Sequence, residues 1–116
     1  MLDKQRKKDL AAAYKEMKPE MGIFVTRTQD NTVRVLETSS NLKGKMNSRI
    51  MQLQTGSHPN KALQREWDAR GEAAFVMEVL ETLTYSKDET KTDYSEELEI
   101  LRMMWEERLS SGGSAQ

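Results

Sequence analysis

The sequence predicts an α+β fold in which about four helices flank a small three-stranded antiparallel sheet. Three observations point to this class. Apolar residues recur at spacings of three and four in several segments, as they do on amphipathic helices. Three other runs are rich in β-branched and aromatic residues, and a short polar turn joins two of them. The chain has 116 residues, the size of one domain, so these elements are expected to share one core.

The first half of the chain is expected to form a helix followed by a β-hairpin. A helix is predicted over residues 1–18, with an apolar stripe at Leu10, Ala13, Tyr14 and Met17. Pro19 follows, and the residue before a proline avoids the helical conformation, so the helix should stop there. The β-rich runs are 21–27 and 33–38, and the turn residues 29–31 between them predict a hairpin.

Two further helices and a third strand are predicted in the middle of the chain. Asn41 is a suitable N-cap for a helix that ends at Gly56. Pro59 is expected in the first turn of the next helix, which ends at Gly71 and is capped by Ser57 or His58. Alternating apolar residues over 74–83 predict the third strand.

The last part of the chain is expected to contain an exposed loop, a helix and a tail. Residues 84–94 are polar and predict the loop. The helix is indicated by the spacing of Leu98, Leu101, Trp105 and Leu109. Residues 110–116, SSGGSAQ, are flexible by composition and predict a disordered tail. A single domain is therefore expected over residues 1–109.

Composition excludes several classes of function. The chain has no cysteine, which excludes disulfides and thiolate chemistry, and its one histidine cannot build a multi-histidine metal site. No apolar stretch has the length of a membrane span, and the first residues lack the apolar segment of a signal peptide. We therefore expect a cytoplasmic protein that has no membrane partner.

Charge is unevenly distributed along the chain, although the net charge is only −1. Between residues 43 and 70, six Lys or Arg residues stand against two acidic ones. Between residues 86 and 107, three Lys or Arg residues stand against eight acidic ones. The basic segment is suited to a polyanion such as nucleic acid, and a solvated charged surface is the alternative interpretation.

The segment 56–83 resembles the GIY-YIG nuclease superfamily. Members often carry a glycine-x-histidine-x-asparagine segment, then leucine-glutamine, a tryptophan, glycine-glutamate and an aromatic strand. The matching residues here are Gly56, His58, Asn60, Leu63, Gln64, Trp67, Gly71, Glu72, Phe75, Val79, Leu80 and Glu81. With the runs MGIF and SSNL, the resemblance covers residues 21–109. It implies a three-stranded sheet with helices around it, and phosphodiester hydrolysis that uses one divalent metal ion.

The two name-giving motifs of the family have lost their reactive side chains in this chain. The tyrosine of the first motif falls on Phe24, which has no hydroxyl group and cannot transfer a proton. The tyrosine and the glycine of the second motif fall on Val35 and Glu37. The resemblance therefore implies a site without either phenol.

The remaining catalytic positions of the family are also altered. Its arginine falls on Lys45, which keeps the charge but lacks the bidentate fork. Its histidine falls on Arg49, which cannot act as a base near neutral pH. Aligned on Trp105, its metal-binding glutamate falls on Arg102, whereas a shift of three residues places Glu99 there and leaves a weak metal candidate. Each proton-transfer group that is lost costs about 10²–10⁴-fold in rate.

The function expected from these residues is that of a catalytically inactive GIY-YIG-like domain that binds DNA or RNA without sequence preference. The candidate binding residues on the former active face are Lys43, Lys45, Arg49, His58 and Lys61. No cofactor is expected. A protein-interaction or self-associating module is the alternative, with a homodimer or another protein as partner and Met103 and Met104 as contact residues. A residual nuclease that depends on Mg²⁺ or Mn²⁺ is the third possibility.

Overall fold

The computed structural model of the protein describes residues 18–113. The helix predicted over residues 1–18 lies outside this range except for Lys18, and so do the last tail residues, 114–116. The described residues form three strands and three helices in the predicted order. Their bounds are β1 Met21–Thr28, β2 Arg34–Ser39, α1 Leu42–Thr55, α2 Lys61–Arg70, β3 Phe75–Leu83 and α3 Ser95–Gly113.

The three strands form one antiparallel sheet in the order β2-β1-β3, which confirms the predicted α+β class. β1 is central, and nearly all of its residues are buried. Successive side chains of a strand point to opposite faces of the sheet. We call the face that carries Phe24 and Thr26 the first face, and the face that carries Ile23 and Val25 the second face.

Helices lie on both faces of the sheet. Glu37 of β2 lies opposite a first-face residue of β1 and binds Arg49, so α1 lies on the first face. Glu81 of β3 lies opposite Ile23 and accepts a hydrogen bond from the indole N–H of Trp105 at 2.8 Å. α3 therefore lies on the second face, and the sheet separates α1 from α3.

Gly22 allows β1 and β3 to approach each other closely, because it has no Cβ atom. A Cβ atom at this position would lie 2.1 Å from the carbonyl oxygen of Glu81. The register between the two strands shifts between Ile23 and Phe24, just beyond this point. The glycine of the first motif is thus accounted for by backbone packing.

The core beneath α3 includes residues from the loop 84–94. Met21, Tyr94 and Leu98 form a buried cluster against which Tyr85 packs. The Tyr85 hydroxyl donates to the carbonyl oxygen of Pro19 at 2.6 Å. The segment is a loop as predicted, but it is not exposed throughout, because Tyr94 is buried, Tyr85 is partly buried, and both hydroxyl groups have backbone partners.

The capping residue of α2 was predicted wrongly. Asn60, and neither Ser57 nor His58, caps the helix: its side-chain oxygen accepts the backbone N–H of Leu63 at 3.0 Å. Pro59 therefore precedes the helix instead of lying in its first turn. Three other predicted helix ends are confirmed: Asn41 caps α1, Gly56 ends it in the left-handed conformation, and Gly71 follows α2.

The last helix is longer than predicted. α3 ends at Gly113 and so includes residues 110–113, which were assigned to the disordered tail. Once a helix is nucleated, each added residue gains a backbone hydrogen bond, which offsets the modest helix propensity of serine. No helix in the range 18–113 is both long and apolar enough to cross a membrane.

Candidate functional site

Four of the candidate site residues come together on the first face. Phe24 of β1 and Glu37 of β2 are direct cross-strand partners. Arg49 of α1 binds Glu37, and His58, just before α2, feels the charges of both Arg49 and Glu37. We call these four residues the Arg49 cluster.

The centre of the Arg49 cluster is a largely buried ion pair. Nη2 of Arg49 lies 2.6 Å from Oε1 of Glu37, and Nε donates to the same oxygen at 2.8 Å. Nη1 donates to Oε1 of Gln52 at 2.8 Å. Both charged side chains are only 15% exposed. The guanidinium is thus neutralised within the protein, while Oε2 of Glu37 is buried and has no hydrogen-bond partner.

His58 is almost completely buried, at 1% exposure. Its Nδ1 accepts the backbone N–H of Asn60 at 2.9 Å, so the neutral ring carries its proton on Nε2. Nε2 is buried and has no hydrogen-bond partner. Burial lowers the pKa of His58 below 6.5 and Arg49 lowers it further, against smaller opposing effects of Glu37 and Asn60. The imidazole is therefore neutral at pH 7.

The two positions of the missing tyrosines are apolar. Phe24 is fully buried, with 0% of its surface exposed. Val35 lies two residues before Glu37 on the same face of β2, opposite Thr26, and is half-buried. Neither side chain can donate or accept a proton, so these positions support packing and no acid-base chemistry.

The candidate lysines are placed on two helices. Lys45 lies one turn before Arg49 on α1 and is half-buried, while Lys43 near the start of α1 is exposed. Lys61 is the exposed first residue of α2. None of these lysines has an ion-pair partner among residues 18–113. The structure thus brings Arg49 and His58 together and leaves the lysines at the surface.

Arg102 and Glu99 lie on α3, on the second face, away from the Arg49 cluster. Arg102 forms a short ion pair with Glu99 and a second one with Glu106 at 2.6 Å. These carboxylates raise the pKa of Arg102, and Arg102 in turn lowers the pKa of Glu99. The structure does not bring either residue to Arg49 or Lys45.

The Arg49 cluster does not fit a divalent metal ion. Within residues 18–113 no group of three or more His, Asp or Glu side chains could hold one. Glu37 forms an ion pair with Arg49, and Glu99 forms one with Arg102. Each candidate carboxylate is therefore already neutralised by a guanidinium. A cation placed beside either arginine would be repelled.

Two solved structures are similar to this chain. The catalytic domain of the homing endonuclease I-TevI is 23% identical, with a TM-score of 0.51 over 68% of this chain and 88% of that one. A glutamate-to-alanine mutant of the catalytic domain of the intron endonuclease I-TevI is also 23% identical, with a TM-score of 0.50 over 69% and 84%. The I-TevI catalytic domain is a GIY-YIG nuclease. The fold of this chain is GIY-YIG-like.

The GIY-YIG-like fold confirms the resemblance drawn from residues 21–109. Comparison with protein-family models gives no match, and neither does comparison with curated proteins. An identity of 23% shows the fold and leaves the activity open.

Sequence analysis missed the pairing inside this GIY-YIG-like site. Arg49 was interpreted as a free cation, and Glu37 only as a lost glycine. A partial signal was present, because the two departures from the family pattern carry opposite charges. His58 was treated as a surface candidate, but the structure buries it.

We expect the only histidine of the chain to titrate below pH 6.5 in the folded protein. Between its folded and unfolded pKa values the unfolded state binds more protons, so stability is complete above about pH 6.5 and falls as the pH drops through the folded pKa. NMR titration of the His58 ring measures the pKa directly. Urea unfolding across this pH range should show the same loss.

A His58→Asn variant is the control, because an amide oxygen can replace Nδ1 as the acceptor for Asn60. This variant should lose the part of the pH dependence that comes from the imidazole. A folded-state midpoint at or above 6.5 would contradict the burial of His58 described above.

Proposed function

We propose that this chain is a catalytically inactive GIY-YIG-like domain that binds DNA or RNA through contacts to phosphate groups. The observation that carries the proposal is the separation of the basic residues between positions 43 and 70 into two groups. One group is neutralised by carboxylates in the folded protein, and the other stays unpaired on α1 and α2.

The absence of catalysis follows from what stands at each position of the former site. Phe24 is buried and has no hydroxyl group that could donate or accept a proton. Arg49 replaces the family's histidine and is held by Glu37. The position of the family's metal-binding glutamate carries Arg102. This residue lies on α3, on the other side of the sheet, and forms an ion pair with Glu99. Without proton transfer or a metal ligand, phosphodiester hydrolysis lacks its main contributions.

The unpaired cations support binding to a polyanion. Of the six Lys and Arg residues between 43 and 70, Arg49 pairs with Glu37, and Arg70 pairs with Asp30 and Glu66. The four that have no ion-pair partner among the described residues are Lys43, Lys45, Lys61 and Arg65. Cations of this kind contact phosphates irrespective of sequence, so binding should be salt-sensitive and weak, with Kd of about 10⁻⁴–10⁻⁶ M.

Replacing both Lys43 and Lys45 by alanine should weaken binding to a short DNA duplex. Each phosphate contact that is lost should reduce the slope of log K against log salt by about one, because fewer counterions are released. Fluorescence anisotropy at several salt concentrations measures both quantities. Lys87→Ala is the matched control, since Lys87 is an exposed lysine in the acidic segment.

The binding proposal fails if the wild-type protein does not bind DNA or RNA even at low salt. It also fails if the double variant binds with the affinity and salt slope of the Lys87→Ala control.

A protein-interaction surface on α3 is the second candidate. Met103 and Met104 lie three and four residues after Ile100, and the three side chains are 57%, 54% and 50% exposed. A stripe of large apolar side chains at the surface is typical of protein contacts, and methionine adapts well to a partner. Self-association through this stripe would bury it.

If α3 mediates self-association, Met103→Lys should shift the chain from dimer to monomer, because the interface would then contain a buried charge. Sedimentation velocity at increasing concentration measures this. Met51→Lys is the control, since Met51 is 64% exposed and lies on α1. A wild-type protein that is monomeric at all concentrations would exclude this homodimer.

A further inference from the structure

The side chain of Glu37 stands where an external anion would bind Arg49. We propose that Arg49 and His58 form an oxyanion site that is closed by the carboxylate of Glu37 and that takes a phosphate group when this carboxylate is removed. The wild-type protein would thus carry an internal substitute for a phosphate ligand.

The guanidinium of Arg49 is oriented for an anion. Its Nε and Nη2 both point at one oxygen of Glu37, at 2.8 and 2.6 Å, and Nη1 is held by Gln52. The planar donor fork of arginine matches carboxylate and phosphate oxygens equally well. The position of Oε1 is therefore also a suitable position for a phosphate oxygen.

His58 provides a second donor that is not used. Nε2 carries the proton of the neutral ring, is buried, and has no partner, although buried polar atoms are nearly always hydrogen-bonded. Oε2 of Glu37 is equally buried and unpaired. The carboxylate thus satisfies Arg49 and leaves the imidazole unsatisfied. A phosphate group has more acceptor oxygens and can serve both donors.

Access to the site depends on Glu37. Arg49 and Glu37 each keep 15% of their side-chain surface exposed, so the pair lies at the edge of the protein interior and not at its centre. Removing the negative charge leaves Arg49 largely buried without a counterion, which is strongly unfavourable. A small anion from solution can then restore neutrality.

The proposal does not rest on nucleic-acid binding, because it can be tested with inorganic phosphate alone. The variant is Glu37→Ala, which removes the carboxylate and leaves its position beside Arg49 open to an anion. Urea unfolding is measured in sodium chloride and in sodium phosphate at equal ionic strength. At a phosphate concentration of ten times Kd, the unfolding equilibrium constant of the variant should fall by about tenfold relative to chloride.

Two controls separate a site from the general stabilising effect of phosphate. Glu99→Ala removes a carboxylate from the exposed ion pair with Arg102 and should respond to phosphate as the wild type does. Glu37→Ala combined with Arg49→Met should also respond only as the wild type does, because it lacks the anion-binding donor.

An equal phosphate response in Glu37→Ala and the wild type overturns the proposal, and so does a response that persists in the double variant. If Glu37→Ala does not fold in chloride, refolding from urea in phosphate decides the question. Recovery of the folded state in phosphate alone supports the site, and failure to fold in either salt contradicts it.

Discussion

The ion pair between Glu37 and Arg49 determines the character of the first face. It joins β2 to α1 at the edge of the protein interior, and its two charges neutralise each other at the centre of the Arg49 cluster. Leu42 and Leu53 are buried at the two ends of α1, so the helix rests on apolar contacts with one neutralised charge pair between them. The burial of His58 beside this pair keeps the imidazole uncharged.

The sheet separates the basic segment of the chain from the acidic helix α3, because the two lie on opposite faces. α1, in the basic segment, lies on the first face, and Trp67 of α2 packs against the first-face residue Phe75 with ring centroids 5.2 Å apart. The acidic segment forms α3 on the second face. A polyanion that approaches the lysines of α1 and α2 therefore does not meet the carboxylates of α3. This arrangement allows nucleic-acid binding at an acidic overall pI of about 5.9.

Local signals in the sequence predicted most of the fold. The turn at 29–31, the Asn41 cap and Gly56 each act through residues close in sequence, so their effects could be inferred without the tertiary structure. The cap of α2 was missed because three nearby residues, 57, 58 and 60, offer side-chain acceptors, and the Nδ1 of His58 accepts the N–H of Asn60 while Asn60 caps the helix. The contact of Glu37 with Arg49 spans two elements and depends on sheet register, which local patterns do not determine.

The central proposal is that this GIY-YIG-like domain has an internal ion pair where proton-transfer groups would be needed, and that it does not cut DNA. Plasmid nicking by the purified wild-type protein with Mg²⁺ or Mn²⁺ tests the claim most directly. The account predicts no conversion of supercoiled to relaxed DNA beyond that of a Lys45→Ala/Glu99→Ala variant. Nicking by the wild type that disappears in this variant would contradict it.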